Sequence, residues 1–139
     1  MIRSVFSQCK SENGPGFSAR YWNNTEFKGE PAATAQLSTP FHLCTSGATV
    51  FAPGVNLTDF SAVYQSVFTP RESGDVVFDF YCYGSVKLLV DGKEVKNFTN
   101  KHGSRPQAHG MRVEAGKSYD IEIRFQYFSG DAQLNFDLG

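Results

Sequence analysis

From Gly74 the chain alternates apolar and mostly polar side chains with a period of two. The apolar set consists of Val76, Phe78, Phe80 and Cys82. Successive side chains of a β-strand point to opposite faces, so this pattern predicts a strand with one face on a core. The same alternation recurs over residues 119–125 and 132–138. A chain with several such runs must build a sheet.

Two of the strand-like runs are separated by Asp91-Gly92. Both central positions of a type I′ turn need positive φ, which makes this dipeptide a strong hairpin signal. We predict strands at about residues 76–82, 86–90, 93–97 and 118–126, with the first two antiparallel and joined near Gly84. The spacing indicates an all-β fold, a single antiparallel β-sandwich or barrel domain.

Helical periodicity is confined to residues 2–10, where apolar side chains recur at three- and four-residue spacing. Asn13-Gly14-Pro15-Gly16 then ends any helix. We therefore predict a short N-terminal helical lead-in, part of a linker over residues 1–15, and a β-sandwich domain over residues 16–139.

Two stretches, residues 29–53 and 98–109, lack strand alternation and are predicted to be long loops. In a compact domain such loops are more often functional than idle.

Composition excludes several functional classes. Thirteen Lys and Arg against fourteen Asp and Glu leave a net charge of -1, so the broad cationic field that nucleic acid or anionic lipid selects is missing. We expect neither nucleic acid nor membrane as a partner. No run of about 18 apolar residues predicts a membrane span. The first ten residues are too polar for a secretory signal, so if the parent protein is exported, its signal is expected outside this sequence.

The three cysteines, Cys9, Cys44 and Cys82, are widely spaced, without a Cys-x-x-Cys pair or a histidine at metal-ligand spacing. This arrangement suggests neither zinc nor a disulfide framework. We expect all three thiols to be reduced, with Cys44 and Cys82 on strands facing the core.

No catalytic constellation stands out. A glycosidase needs two carboxyl groups across the scissile bond, about 5 to 10 Å apart. Asp120 and Glu122 instead share a strand face with Arg124, as on a solvated sheet, and no histidine stands near a Gly-x-Ser-x-Gly nucleophile elbow. An independent small hydrolase is accordingly the weakest interpretation, and no catalytic residue is predicted.

Four motifs, in order, resemble the 14-kDa protective-antigen domain family over about residues 16–138. They are Gly16-Phe17-x-Ala19-x-Tyr21-Trp22-Asn23-Asn24 with Phe27-x-Gly29-x-Pro31, Phe68-Thr69-Pro70 with Ser73-Gly74, Leu88-x-Val90-Asp91-Gly92-Lys93-x-Val95, and Glu114-Ala115-Gly116-Lys117-x-Tyr119-x-Ile121-x-Ile123 with Ala132-x-Leu134-x-Phe136. The family is a β-barrel-like sandwich of bacterial toxins, yeast adhesins and many glycosidases. The residues of these motifs are most similar to those of the copies inserted in β-glucosidases of glycoside hydrolase family 3.

The resemblance implies a noncatalytic carbohydrate-recognition module beside the active-site pocket of a host glycosidase. Its implied partners are a β-linked glucoside or related oligosaccharide and the catalytic domains of the host, and its implied location is periplasmic or extracellular. The alternative is a structural or protein-interaction module that steadies the host or its dimer without touching sugar.

Adhesins of this family bind Ca²⁺ through two adjacent aspartates before the Leu-x-x-Asp-Gly strand, and the ion in turn coordinates sugar hydroxyls. Counting from Gly74 to Gly92 places that pair at Tyr83 and Gly84. Neither residue supplies a carboxylate, the ligand by which the family's aspartates hold this hard cation. We predict no metal site and no cofactor.

Sugar recognition then depends on aromatic stacking supported by polar side chains. The candidate sugar-binding residues are Tyr81, Tyr83, Phe98, His102, Arg105 and His109. The tyrosines lie opposite the core set of their strand and the other four lie in the 98–109 stretch. Trp22 is expected to pack in the core instead.

Overall fold

The computed structural model describes residues 9–11, 14–45, 49–128 and 132–139. Ten antiparallel strands account for all regular structure in these ranges: β1 Cys9–Ser11, β2 Gly14–Pro15, β3 Phe17–Trp22, β4 Ala33–Leu37, β5 Phe41–Cys44, β6 Phe60–Phe68, β7 Gly74–Val90, β8 Lys93–Val113, β9 Tyr119–Tyr127 and β10 Gln133–Leu138. The predicted all-β antiparallel fold is confirmed. Within the described ranges, no helix is long and apolar enough to span a membrane.

The predicted helical lead-in is not seen. Its last two residues, Cys9 and Lys10, lie in strand β1, which pairs with β6 and β2. Cys9 is fully buried in the core, so tertiary pairing determines the conformation here rather than the helical spacing of its side chains. Residues 2–8 of the lead-in lie outside the described residues.

Strand β7 connects the two halves of a curled sheet. Its residues 78–83 pair with β10, which in turn pairs with β5. Its residues 85–90 pair with β9, which leads on through β6 to β3 and β4. Strand β8 follows the opposite edge of β7 through both halves. We call the half built on β5, β10 and the start of β7 the first sheet, and the half built on the end of β7, β9, β6, β3 and β4 the second sheet.

The bend between the sheets occurs at Gly84, where the pairing of β7 with β8 shifts register. The glycine has a φ of 135°, outside the range that L side chains favour. The predicted pair of antiparallel strands, 76–82 and 86–90 joined near Gly84, is therefore wrong: one strand runs through the bend. Glycine here allows a bulge rather than a turn.

The predicted loop at residues 98–109 is also wrong, because this stretch is the middle of β8. An edge strand pairs on one side only and tolerates polar side chains, so apolar alternation is weak although the backbone hydrogen bonds are made. The predicted loop at residues 29–53 likewise contains strands β4 and β5. In contrast, the Asp91-Gly92 turn is confirmed, with φ values of 51° and 80°.

The core lies between the two sheets and is largely aromatic. The apolar set of β7 faces it, as the alternation predicted, and Trp22 is only 6% exposed, as expected. Phe17, Phe41 and Phe136 join strands from both sheets, with ring centroids 5.5 to 5.8 Å apart. No disulfide joins the cysteines; Cys82 is buried as expected, whereas Cys44 is only half-buried.

Candidate functional site

Four strands of the first sheet place one row of side chains on its outer surface. Tyr81 on β7 is opposite Pro106 on β8 and Asn135 on β10, and Asn135 is opposite His42 on β5. Directly opposed residues of an antiparallel pair project from the same side of the sheet. The phenol ring, the amide and the imidazole therefore line up across the strands.

A second row lies one step along the same strands. Asp79 is opposite Asp137 on β10 and Ala108 on β8. Both carboxylates are exposed, and Asp137 Oδ1 accepts a hydrogen bond of 2.8 Å from the Leu138 amide. We call the two rows together the Tyr81 face. They line a shallow depression of about 430 Å³.

The chemistry of the Tyr81 face suits a polyhydroxylated ligand. The Tyr81 side chain is 45% exposed, so its ring is available to the apolar side of a sugar ring. Carboxylates accept hydrogen bonds from hydroxyl groups, whereas the amide of Asn135 both donates and accepts. An open depression with an aromatic ring and converging polar groups is typical of a carbohydrate site on a sheet surface.

The structure does not bring together the five predicted site residues whose side chains it describes. Tyr83 packs edge-on against Tyr127, with ring centroids 5.9 Å apart, and lines a separate depression of about 560 Å³ at the bend. Phe98 and His109 lie on the inner side of β8. Their rings contact Phe80 at 5.7 Å and Phe78 at 6.2 Å.

The remaining two predicted residues also lie on β8. Arg105 is exposed, and its guanidinium donates a hydrogen bond of 3.2 Å to the Ser104 carbonyl. The backbone of His102 is part of the strand, and its side chain lies outside the described residues. Of the five predicted residues whose side chains the structure describes, Tyr81 alone belongs to the Tyr81 face.

Sequence reasoning missed four polar contributors to this face, namely His42, Asp79, Asn135 and Asp137. Asn135 and Asp137 do carry a signal, since they are the polar members of an alternating strand. Nothing local, however, indicates that β10 pairs with the start of β7. Residue 42 falls in a stretch that lacked any strand pattern.

Burial removes two of the thiols from any nucleophilic role. It raises the pKa of Cys82 to about 12, and it raises the pKa of Cys9 to about 12 against the opposing effect of a hydrogen bond from Thr39. Both groups therefore stay protonated at neutral pH, and the thiol is a poor nucleophile. Among the described residues, no three His, Cys, Asp or Glu side chains cluster to hold a metal ion.

Comparison with known proteins identifies the architecture. The family model for the PA14 domain matches residues 13–138, which is nearly the whole chain. The chain belongs to the PA14 domain family. The family resemblance of the sequence motifs is thereby confirmed.

Relatives of this PA14 domain include enzymes many times its length. It is 36% identical over 122 residues to a xylan 1,4-β-xylosidase of Xylanibacter ruminicola, a match that covers 86% of this chain and 14% of the enzyme. The domain thus spans about one seventh of the length of that curated relative.

Solved structures share the fold at low sequence identity. One is a β-glucosidase of Kluyveromyces marxianus crystallised with glucose. The match covers all of this chain and 18% of the enzyme chain, with a TM-score of 0.71 and 12% sequence identity. The epithelial adhesin 9 A domain of Candida glabrata was crystallised with Galβ1-3GlcNAc. The match covers 96% of this chain and 85% of the adhesin chain, with a TM-score of 0.67 and 10% sequence identity. The PA14 fold thus occurs both as a segment of larger glycosidases and as most of an adhesin domain.

Proposed function

We propose that this PA14 domain is a noncatalytic carbohydrate-recognition module of an exported glycosidase, of the family 3 β-glucosidase type. The Tyr81 face contacts a β-linked glucoside or related oligosaccharide. The observation that carries the proposal is the alignment of an exposed tyrosine ring with amide, imidazole and carboxylate groups across four strands. The named relatives support it, because they include enzymes that act on β-linked sugars and an adhesin crystallised with a disaccharide.

The shape of the site indicates weak binding. A depression of about 430 Å³ on a sheet surface leaves much of a bound sugar in water. An aromatic contact contributes about 0.5–1.5 kcal/mol beyond the area that it buries. Truncating Tyr81 is therefore expected to weaken binding by a factor of about ten.

The test is affinity electrophoresis of the 139-residue chain in native gels cast with soluble β-glucan or soluble xylan. The wild-type chain should be retarded in at least one of these gels, and Tyr81→Ala should migrate as in a gel without polysaccharide. Phe128→Ala is the matched control, because it removes an aromatic side chain that is 51% exposed at a different depression. It should be retarded like the wild type.

Two results would contradict the proposal. If the wild-type chain migrates freely in every gel, or if Tyr81→Ala is retarded as strongly as wild type, the Tyr81 face is not a sugar site. The first result favours the alternative module, which steadies its host without touching sugar. In the parent enzyme, that module would change thermal stability on deletion while leaving KM for oligosaccharides unchanged.

A further inference from the structure

The second sheet carries a different polar surface on its outer side. Lys87 on β7 is opposite Asn97 on β8 and Arg124 on β9. Two residues along, Ser85 is opposite Thr99 and Gln126. These six side chains form a two-by-three array next to the ring of Phe27, around a depression of about 210 Å³. We call it the Arg124 face.

The guanidinium of Arg124 is held on two sides. Its Nε donates a hydrogen bond of 2.6 Å to Glu122 Oε2, and its Cζ lies 5.6 Å from the centroid of the Phe27 ring. The Phe27 ring in turn packs edge-on against Trp22, with centroids 5.9 Å apart. The contact with Glu122 uses Nε. Among the described residues nothing else occupies the two terminal nitrogens of Arg124, which are therefore available to a ligand.

The loop that presents Phe27 is strained. Phe27 has a φ of 57°, a conformation that is costly for a bulky residue. Its amide donates a hydrogen bond of 3.1 Å to Ser61 Oγ, and the Ser61 hydroxyl donates one of 2.7 Å to the Asn24 carbonyl. Strain of this kind persists only where surrounding contacts enforce it, and it is concentrated at functional sites.

Two like charges stand opposite each other in this face. Lys87 and Arg124 are direct cross-strand partners, an arrangement that destabilises a sheet. Each cation has a carboxylate on its far side: Glu122 contacts Arg124, and Glu94 lies 3.9 Å from Lys87 Nζ. Among the described residues, no acidic side chain lines the depression beside the two cations. An anion in the depression would contact both cations and add to the compensation that the two carboxylates already provide.

The second row is suited to hydroxyl groups. The hydroxyls of Ser85 and Thr99 are hydrogen-bonded at 2.9 Å, and each keeps further capacity. Gln126 Nε2 donates a hydrogen bond of 2.6 Å to the Thr25 carbonyl, which orients the amide of this side chain. Neutral donors and acceptors therefore lie directly beside the cationic pair.

We infer that the Arg124 face binds an acidic sugar residue through its carboxylate. The planar carboxylate takes the terminal nitrogens of Arg124 and the ammonium of Lys87, in the bidentate geometry that a guanidinium favours. The sugar hydroxyls meet Ser85, Thr99 and Gln126. A volume of about 210 Å³ lies below the range of drug-sized ligands, which fits one ring rather than a longer chain.

This inference goes beyond the proposed function and does not depend on it. The Tyr81 face lies on the first sheet and the Arg124 face on the second, with the bend of β7 between them. A single variant can therefore disable one face and leave the other intact.

The experiment is a titration of the ¹⁵N-labelled 139-residue chain with sodium glucuronate, followed by amide chemical shifts. Saturable shifts are expected at residues 85–87 and 124–126, and not at Tyr81. Because the cations are partly exposed, added salt should weaken binding. Arg124→Gln and Lys87→Gln should each weaken it about tenfold, the size expected for loss of a charge-assisted hydrogen bond.

Matched controls distinguish binding at the Arg124 face from nonspecific attraction to positive charge. Arg112→Gln removes another exposed arginine that has an acidic partner, here Asp75 on the neighbouring strand at 3.6 Å. Lys93→Gln removes an exposed lysine in the turn region of the same hairpin. Both should leave glucuronate affinity within twofold of wild type, and so should Tyr81→Ala.

Four outcomes would overturn the inference. Glucuronate could fail to shift residues 85–87 and 124–126 at any concentration, or glucose could bind there as tightly. Sodium acetate could also reproduce both the shifts and the affinity, which would mean that any small anion is attracted without recognition of the sugar. Tighter binding of glucose 6-sulfate than of glucuronate would reassign the ligand to sulfated sugars and refute the carboxylate.

Discussion

Replacing Gly84 by Ala tests the bend of β7, on which the separation of the two polar faces depends. A Cβ built on Gly84 would lie 2.7 Å from Cε1 of the Phe125 ring and 3.0 Å from the Gln126 carbonyl oxygen. Phe125 is fully buried between the sheets, so the ring has little room to move. The new methyl group must therefore displace the ring or the strand.

Two costs add at this position. A non-glycine residue at a φ of 135° costs on the order of 1–3 kcal/mol, and overpacking of a core contributes about 1–3 kcal/mol more. The free energy of unfolding of Gly84→Ala should therefore fall by about 2–6 kcal/mol. With a urea m-value of about 2 kcal/mol per molar, the unfolding midpoint should fall by about 1–3 M.

The control is Gly92→Ala in the hairpin turn. Gly92 also has positive φ, 80°, but a Cβ there meets no atom of the described residues within 4 Å. Its cost is backbone strain alone, about 1–2 kcal/mol. The excess cost of Gly84→Ala over Gly92→Ala in equilibrium urea unfolding thus contains the clash with the Phe125 ring together with the greater backbone strain at a φ of 135°.

A second comparison tests the mechanism of that cost. Phe125→Leu shortens the side chain that the Gly84 methyl group would strike, so it should destabilise the Gly84→Ala background less than the wild type. The reasoning is refuted if Gly84→Ala costs no more than Gly92→Ala, or if the effects of Gly84→Ala and Phe125→Leu simply add.

Three further predictions concern the core, the edge strand and calcium. Burial raises the pKa of the Cys9 and Cys82 thiols to about 12 from an ordinary 9.0, so above about pH 9 the unfolded chain loses protons that the folded chain keeps. The free energy of unfolding should therefore fall by about 1.4 kcal/mol per pH unit for each thiol until about pH 12. In urea unfolding, Cys9→Ala and Cys82→Ala should each show a smaller decrease of this free energy with pH. Phe98→Ala should cost about 2 kcal/mol in urea unfolding, because the ring packs edge-on against a core phenylalanine; a loss below about 1 kcal/mol would indicate an exposed position instead. With Tyr83 and Gly84 in place of the acidic pair, the melting temperature should be the same in EDTA and in millimolar Ca²⁺, and an increase of several degrees with Ca²⁺ would reveal a site.

The outcome for β8 shows where pattern reasoning stops. Residues 98–109 lack alternating apolar residues and are predicted to form a loop, yet residues 98–100 and 105–109 pair with β7. A central strand must bury both its backbone and one side-chain face, which leaves a pattern in the sequence. An edge strand needs only one hydrogen-bonded partner, so its sequence is much less constrained. Phe98 and His109 consequently pack toward the core instead of reaching out to a ligand.

The candidate site shows the same limit. Tyr81 was identified from the sequence because it is the exposed member of an alternating strand. Its neighbours on the Tyr81 face, His42, Pro106 and Asn135, come from three other strands that are distant in sequence. Their proximity depends on strand order and register, which arise from long-range pairing and not from local spacing.

What the sequence determined by itself is local: the period-two strands, the turn at Asp91-Gly92 and the family motifs. Each depends on interactions between near neighbours, such as alternating side chains or a dihedral angle that only some residues tolerate. The tertiary structure decided whether Gly84 makes a turn or a bulge and which side chains share the Tyr81 and Arg124 faces. Those outcomes depend on the shape of the Phe125 ring beneath the bend and on which strands pair, and both are established only when the two sheets close over a common core.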